Sequence, residues 1–434
     1  MRYAPIDSSL FIENRGKFLS RLKPKSIAVF LSNDVMPTSA DGVRSFIQDA
    51  DFFYMTGIDQ EESILILCPD TREERHREIL FIRQTDEKTV TWEGHKLTME
   101  EARTLSGIRT VYWTSEFNRI LRGLAIESEH IYLNRNEHSR AETPVETRSD
   151  RFMKRCMMEY PLHRYERAAP IMHGLRAVKS DIEVELIQTA IGISDKAFRR
   201  ALLYIAPGVW EYEIEAELNH EFLMNRSRGP AYETIIASGA NACVLHYVKN
   251  DDQCRDGDLV LMDFGAEYAN YVSDVTRTVP VNGRFSQRQR EVYDSVLRIQ
   301  REAMQLLRPG MLFRDYNREV GSIVERELIG LGLINSDEIL EQNPDNPMYR
   351  KYYMHGTSHL IGLNVHDVGD GIHHAMKKGM VVSCEPGIYI KEEGMGIRLE
   401  NDIFITDNGP VDLTVSIPID ADEIEELMSR PTGR

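Results

Sequence analysis

The first 165 residues alternate between short apolar runs and longer segments that contain charged residues. Four of the runs are rich in β-branched side chains and end at charged or turn-forming residues, which is typical of buried strands. They are SIAVFL at 26–31, SILILC at 63–68, ILFIR at 79–83 and HIYLN at 130–134. The neighbouring segments IENRGKFLSRL and MEEARTL are predicted to be helices. This alternation predicts an α/β domain over residues 1–165, with a mixed sheet flanked by helices.

The pattern changes near residue 175. The segment at 159–175 contains two prolines, mixed charge and no clear period, so we place the connection between two domains there. Ser180 and Glu183 then match a capping box at the start of a long helix. Further helices are predicted at 211–225, 286–307 and 313–331, and a strand-rich piece at 231–247. The second domain is therefore expected to span residues 175–434.

Length and composition fit a two-domain globular protein. The chain has 434 residues, which is long for one hydrophobic core. Its formal net charge of -17 argues against binding to nucleic acid or to an anionic membrane, because either needs a basic surface. No apolar run is long enough for a membrane span, and the N-terminus has no apolar segment typical of a secretory signal. The five cysteines form no CxxC pair and fit reduced thiols, so we expect a cytoplasmic protein.

Four acidic residues stand in segments that otherwise resemble protein core. They are Asp263 in DLVLMDFG, Asp274 in YVSDVTRTV, Glu385 in MVVSCEPG and Glu400 in GIRLENDIF. Carboxylates are rarely buried unless they are paired or bind a cation. Three histidines, His355, His359 and His366, lie in the small and apolar stretch MHGTSHLIGLNVHDVG. Oxygen ligands with one imidazole favour Mn²⁺, Mg²⁺, Fe²⁺ or Co²⁺, so the residues predict a catalytic metal site rather than a structural zinc site.

The spacing of the two aspartates suggests a β-hairpin. If the chain turns at Tyr268–Ala269, Asp263 and Asp274 face each other with their Cβ atoms about 5 Å apart. Two carboxylates at that distance repel each other unless cations lie between them, and a pair of ions would fit. Strand alternation places Arg398 and Glu400 on one face, where the arginine could hydrogen-bond a ligating carboxylate. The residues alone therefore predict a binuclear metal hydrolase.

Five segments, taken in order, resemble a known family. MDFG, SDVTRT, HGTSHLIGLNVHDVG, SCEPGIYI and IRLEND are similar to the metal centre of the pita-bread metallopeptidases, and within these to the Xaa-Pro aminopeptidases (aminopeptidase P). FIQDADFFYMTG is similar to the N-terminal domain of that family. The resemblance implies an aminopeptidase P-type N-terminal domain over 1–165. It also implies an α+β pita-bread catalytic domain with a curved antiparallel sheet over 175–434.

The resemblance further implies a ligand set and a reaction. Two divalent ions, usually manganese in the family, would be held by Asp263, Asp274, His359, Glu385 and Glu400. Asp274 and Glu400 would bridge the ions, Asp263 would chelate one, and His359 and Glu385 would complete the other. A bridging water or hydroxide would be the nucleophile, because two cations lower its pKa. Glu385 would take its proton and pass it to the leaving proline nitrogen.

Other residues match positions near the substrate of the family. They are His246, His355, His366 and Arg398 as catalytic residues, and Tyr232, Tyr389 and Trp92 as substrate-binding residues. The histidines would bind substrate and stabilise the tetrahedral intermediate, and Arg398 would support a metal ligand. Trp92 resembles a tryptophan that a neighbouring subunit contributes in some members, so a homodimer or homotetramer is expected. The substrates would be peptides with proline at the second position.

Three alternatives stay open at this point. A prolidase, which cleaves only Xaa-Pro dipeptides, would share the fold and all five ligands and differ in what closes the cleft. A methionine aminopeptidase fits less well, because such enzymes normally lack a large N-terminal domain. A non-catalytic pita-bread module that binds peptides or proteins belongs to another functional class. Such modules have lost ligands, whereas this chain keeps all five.

Overall fold

The computed structural model describes residues 2–339, 342–343, 346–369 and 374–429, and its contacts divide the chain into two units. One unit is Ala4–Arg176, and the other is Ala177–Arg434 together with the residues up to Tyr3. Within the described ranges, no helix is long and apolar enough to cross a membrane.

One mixed sheet organises the first unit. Its strands are β1 (Ser26–Leu31), β2 (Ile64–Leu67), β3 (Glu78–Ile82), β4 (Thr110–Trp113), β5 (His130–Leu133) and β6 (Arg164–Arg167). Their order across the sheet is β4-β3-β2-β1-β5-β6. Strand β1 pairs antiparallel with β2 and parallel with β5, so the predicted α/β class with a mixed sheet is confirmed. All four strands predicted from apolar runs are present.

The helices of this unit include both that were predicted. They are α1 (Ser9–Leu19), α2 (Ala50–Thr56), α3 (Glu87–Glu93), α4 (Met99–Ser106), α5 (Phe117–Glu127), α6 (Arg148–Glu159) and α7 (Ala169–Arg176). Apolar side chains of β1, β2, β3 and β5 pack with those of α5 in one hydrophobic core. The segment 159–175, expected to connect two domains, instead contains β6 and α7. Strand β6 reads RYER and lies at the sheet edge, where charged side chains replace the apolar signal of a buried strand.

The second unit has α+β organisation with antiparallel sheets, as expected. Its strands are β7 (Ile235–Ser238), β8 (Leu259–Phe264), β9 (Glu267–Tyr268), β10 (Tyr271–Val272), β11 (Val275–Pro280), β12 (Val381–Cys384), β13 (Gly387–Ile390), β14 (Met395–Arg398), β15 (Asn401–Thr406) and β16 (Gly409–Asp412). They pair antiparallel in the orders β11-β8-β7, β12-β15-β16, β13-β14 and β10-β9.

The helices of the second unit follow the predicted spacing. They are α8 (Asp181–Tyr204), α9 (Glu211–Met224), α10 (Gln287–Leu306), α11 (Phe313–Gly330), α12 (Ser336–Ile339) and α13 (Ala421–Met428). The capping box between Ser180 and Glu183 at the start of α8 is present. Two residues from the start of the chain also belong to this unit. Arg2 Nη1 donates to Ser227 O at 3.0 Å, and the ring of Tyr3 lies 6.2 Å from that of Tyr268.

The hairpin formed by β8 to β11 turns one residue later than predicted. Ala269 and Asn270 have φ angles of 54° and 67°, the left-handed values of a two-residue type I′ turn. In the resulting register Asp263 lies opposite Thr276. The prediction that Asp263 and Asp274 face each other directly was therefore wrong. They are offset by two residues, which still leaves both side chains on the same face of the sheet.

Candidate metal centre

Backbone hydrogen bonds between distant segments bring the predicted ligands together. Glu400 N donates to Thr276 O at 3.1 Å, which places Glu400 beside β11. Ser383 N donates to His359 O at 2.9 Å, which sets His359 alongside β12. Glu385 follows directly after the end of β12. The ligands therefore come from the hairpin, the segment beside β12, the end of β12 and the segment between β14 and β15.

Four of the five predicted ligands form one cluster. Asp274, His359 and Glu400 each offer a ligand atom, and these atoms lie within 4.8 Å of one another. His359 Nε2 is 3.4 Å from Asp274 Oδ2 and 3.4 Å from Glu385 Oε1. Asp274 and Glu400 are buried, whereas Glu385 is partly exposed. The cluster can therefore surround a cation and keep one carboxylate open to a substrate.

Asp263, the fifth predicted ligand, is held beside this cluster by two side chains. Arg398 Nη2 donates to Asp263 Oδ2 at 2.6 Å, as expected for an arginine that orients a ligating carboxylate. The Tyr232 hydroxyl lies 2.7 Å from Asp263 Oδ1 and also contacts Asp274 Oδ1. A phenol has one proton, so Tyr232 donates to only one of the two carboxylates at a time. Tyr232 thus joins two metal-ligand candidates.

The electrostatics of the cluster favour a bound cation. Burial, followed by the negative charge of Asp263, raises the pKa of Asp274 well above the usual range. Burial and the charge of Asp274 raise the pKa of Glu400 in the same way. A divalent cation between these carboxylates would replace their repulsion by attraction. The donor set of four carboxylates and one imidazole suits ions such as Mn²⁺, so the residues fit a divalent metal.

Two residues that support the centre were missed by the sequence analysis. Thr276 Oγ1 donates to Glu400 Oε2 at 2.6 Å and accepts from Arg398 Nε at 3.2 Å. Arg277 is fully buried, and its guanidinium donates to Glu400 O and Pro418 O, both at 2.7 Å. Both residues lie in the SDVTRT segment, and their signal is polarity within a fully buried strand. Thr276 orients the Glu400 carboxylate, and Arg277 fixes its main chain.

A chain of hydrogen bonds runs from Asp263 to His355. The Tyr389 hydroxyl oxygen accepts from Arg398 Nη1 at 3.0 Å and lies 2.8 Å from His355 Nε2. His355 Nδ1 is 2.8 Å from Gly356 O, which can only accept, so Nδ1 carries the proton and Nε2 accepts from Tyr389. Burial, with a smaller effect from Arg398, lowers the pKa of His355 to about 3. His355 is therefore neutral at neutral pH.

The remaining predicted residues differ in their positions. His366 is exposed, and its ring packs edge-on against the His359 ring with centroids 4.5 Å apart. His246 is also exposed and close enough to His355 for its charge to lower the pKa of that residue. Trp92 lies in α3 of the first unit and is 81% exposed. The structure thus gathers the predicted residues of the second unit around one centre and leaves Trp92 on a surface.

Comparisons with known proteins agree with this arrangement. Residues 185–407 match the model of metallopeptidase family M24, and residues 11–132 match that of the aminopeptidase P N-terminal domain. The Xaa-Pro aminopeptidase of Escherichia coli is 36% identical over 96% of this chain and 97% of its own length. Human Xaa-Pro aminopeptidase 3 is 31% identical over 93% of this chain and 80% of its own.

Solved structures show the same similarity across both units. A zinc-substituted Escherichia coli aminopeptidase P in complex with product has a TM-score of 0.86 and 35% identity, and the match covers 98% of this chain and 99% of that one. An aminopeptidase from Pseudomonas aeruginosa has a TM-score of 0.88 and 31% identity, with 99% of each chain covered.

Proposed function

Because the chain belongs to metallopeptidase family M24 and is a metallo-aminopeptidase of the Xaa-Pro aminopeptidase type, we propose that it uses two divalent ions to release an N-terminal residue that precedes proline. The observation that carries this proposal is the convergence of Asp274, His359 and Glu400 on one point, with Glu385 beside them. The substrates are peptides with proline at the second position.

Five side chains would hold the two ions. Asp274 and Glu400, the two buried carboxylates, would be shared by both ions, Asp263 would bind one, and His359 and Glu385 would bind the other. The oxygen-rich donor set supports manganese as the native metal. When bound, the ions supply a water of lowered pKa as the nucleophile and polarise the scissile carbonyl group. Tyr232 and Arg398 keep the Asp263 carboxylate in place for this task.

Glu385 moves the proton that the reaction requires. Its side chain is 19% exposed, and its Oε1 accepts from Ser383 Oγ at 3.3 Å. The other oxygen, Oε2, lies 3.8 Å from His355 Nδ1, and the partial exposure of the side chain leaves Glu385 accessible to a substrate. The proline nitrogen has no hydrogen in the peptide and leaves as a secondary amine only after it receives a proton. Glu385 takes that proton from the attacking water and delivers it to the nitrogen.

The histidines divide into two kinds. His246 and His366 are exposed and would donate hydrogen bonds to the substrate and to the tetrahedral intermediate. His355 is neutral and bonded to Tyr389, so it lines the site as an uncharged group. Tyr389 remains our candidate for the wall of the substrate pocket.

The first test is peptide hydrolysis with manganese present. We would measure amino-terminal release from Xaa-Pro, Xaa-Pro-Yaa and Xaa-Ala-Yaa. Cleavage of Xaa-Pro-Yaa that is lost in Glu385→Ala supports the proposal. Asp407→Ala removes an exposed carboxylate that pairs with Lys378, and it serves as the matched control with unchanged activity.

Other outcomes would select an alternative. Cleavage of the dipeptide alone would identify a prolidase, which shares all five ligands. A protein that binds no manganese and cleaves none of the peptides would favour a non-catalytic module. Elemental analysis of purified Glu385→Ala shows whether the variant is inactive because it has lost the metal or because it has lost the proton transfer.

The proposal extends to the domains, the oligomeric state and the location of the protein. We propose that residues 1–165 act as the N-terminal domain and 175–434 as the catalytic domain, since each family match lies within one of these ranges. We also propose a cytoplasmic homodimer or homotetramer. The exposure of Trp92 supports a contact with a neighbouring subunit, and chromatography with light scattering tests it.

A further inference from the structure

A buried ion pair lies next to His366 in the chain and outside the set of residues that hold metal or substrate. Lys179 Nζ is 3.1 Å from Asp367 Oδ2, and each side chain is only 1% exposed. We propose that Lys179 and Asp367 are positioning residues that hold His366 in its catalytic place beside His359. This inference rests on the proposed role of His366 as a substrate-binding group.

The loop that carries His366 is closed on itself. Asp367 N donates to Leu360 O at 2.8 Å, which joins the two ends of segment 360–367. The carboxylate of Asp367 then lies under Gly362, where an added Cβ would be 2.2 Å from Oδ2. Gly362 O accepts from Val272 N at 3.0 Å, so the loop also rests on the hairpin. The loop is thus closed around the Asp367 side chain.

Lys179 reaches this loop from a backbone that is itself fixed. Its N–H donates to Gly379 O at 2.7 Å, and the next residue, Ser180, caps α8. A Cβ at Gly362 would be 3.0 Å from Lys179 Nζ, so the ammonium, the carboxylate and the glycine are tightly packed. Lys179 therefore gives Asp367 a fixed partner. Because Asp367 directly follows His366, its position also fixes the main chain from which the His366 side chain extends.

The main chain of His359, the proposed metal ligand that His366 touches, is held by contacts outside this loop. His359 N donates to Ser383 Oγ at 3.0 Å, and Ser383 N donates back to His359 O. The His359 ring also meets the loop where its Nδ1 lies 3.2 Å from Leu360 O, and this carbonyl accepts from the Asp367 main chain rather than from its carboxylate. Loss of the ion pair should therefore displace His366 and leave His359 in place. A buried ion pair is weak evidence for stability, because desolvation offsets the attraction between the charges. A positioning role gives this pair a function that stability alone does not.

The test neutralises both partners, so that neither charge is left buried alone. In Lys179→Gln/Asp367→Asn, kcat/KM for Xaa-Pro-Yaa should fall about 10- to 100-fold, since a displacement of about 1 Å costs that much. The affinity for manganese, measured by calorimetry, should stay within about twofold. The exposed pair Lys378 and Asp407 has the same residue types, and its equivalent neutralisation should change neither value.

A double-mutant cycle separates positioning from general disruption. If the pair acts through His366, its neutralisation in a His366→Ala background should reduce kcat/KM by less than about twofold. Losses that multiply instead would overturn the proposal. If the double variant fails to fold, Asp367→Glu and Lys179→Arg, which keep the charges but alter the geometry, take its place in the same cycle.

Imidazole NMR supplies a readout that does not depend on activity. The His366 resonance, assigned by its loss in His366→Ala, should move toward the position of a free histidine when the pair is neutralised, and the His359 resonance should not. An unmoved His366 resonance contradicts the inference. If it moves while His366→Ala is fully active, the positioning stands and the proposed catalytic role of His366 fails.

Discussion

A single methyl group at residue 265 should disturb the hairpin that carries Asp263 and Asp274, two of the proposed metal ligands. Gly265 stands two residues after Asp263, and Ser273, across the hairpin, directly precedes Asp274. A Cβ built on Gly265 would lie 1.8 Å from Ser273 O, a backbone atom. Real Cβ contacts are essentially never shorter than 3.0 Å, so the Cβ and Ser273 O must move apart by about 1.2 Å, and the backbone of the hairpin must shift to allow it.

The size of this shift sets the expected effect of Gly265→Ala on metal binding. Ligand distances in working metal sites hold to about 0.2 Å, so the displacement is several times the tolerance. Forcing an extra methyl group into a packed region costs about 1–3 kcal/mol. If the metal-bound state bears most of this strain, the dissociation constant for manganese rises about 10- to 100-fold.

Isothermal calorimetry with manganese measures this change, and thermal unfolding with and without manganese follows the loss of stability. Gly192→Ala in α8 is the matched control, because Gly192 is exposed and its Cβ would meet nothing within 4 Å. It should leave metal affinity unchanged and stabilise the helix by up to about 1 kcal/mol. Wild-type affinity and stoichiometry in Gly265→Ala would refute the idea that the closeness of these strands positions Asp274.

Two further substitutions test a hydroxyl beside the metal centre and a buried acid in the first unit. Thr276→Val keeps the shape of the side chain but removes the hydroxyl that Glu400 and Arg398 share. We expect the affinity for manganese, measured by calorimetry, to fall about 10-fold. A change below twofold would count against a role of Thr276 in orienting Glu400. Burial, followed by the charge of Asp51, raises the pKa of Asp49 from 3.8 to about 7. The folded protein therefore holds a proton on Asp49 more tightly than the unfolded chain does. The stability that this proton contributes is present at low pH and is lost as pH rises through 7. Asp49→Asn can still cap α2 and should flatten the fall in melting temperature between about pH 4 and 7. An equally steep fall in the variant would contradict this assignment.

The clustered acidic residues could be singled out from the sequence because each carboxylate conflicts with its surroundings. Asp274 and Glu400 are buried acidic residues directly beside strands with buried side chains, and a cation is a physical reason for such burial. The strand register could not be obtained in this way. Symmetric spacing of the aspartates indicated one turn, whereas the left-handed φ angles at Ala269 and Asn270 produced another. Turn chemistry, which favours asparagine, was the better guide.

Other features depend on contacts that no local pattern reveals. Strand β6 is charged because it lies at an edge, so it has no apolar periodicity to detect. Tyr232 lies 31 residues from Asp263, and Lys179 lies 188 residues from Asp367. Their roles follow from the folded arrangement alone, because separate strands and loops must first pack before these side chains meet.

The contacts of Arg2 and Tyr3 have a consequence for the order in which the protein is made. Arg2 and Tyr3 are synthesised before segment 4–176, yet their partners Ser227 and Tyr268 are synthesised only after the whole of it. That segment is contiguous and can fold while the rest is still being translated. The two separate pieces of the second unit are thus joined late, and a fragment begun at Ala177 would lack the aromatic contact that Tyr3 makes with Tyr268.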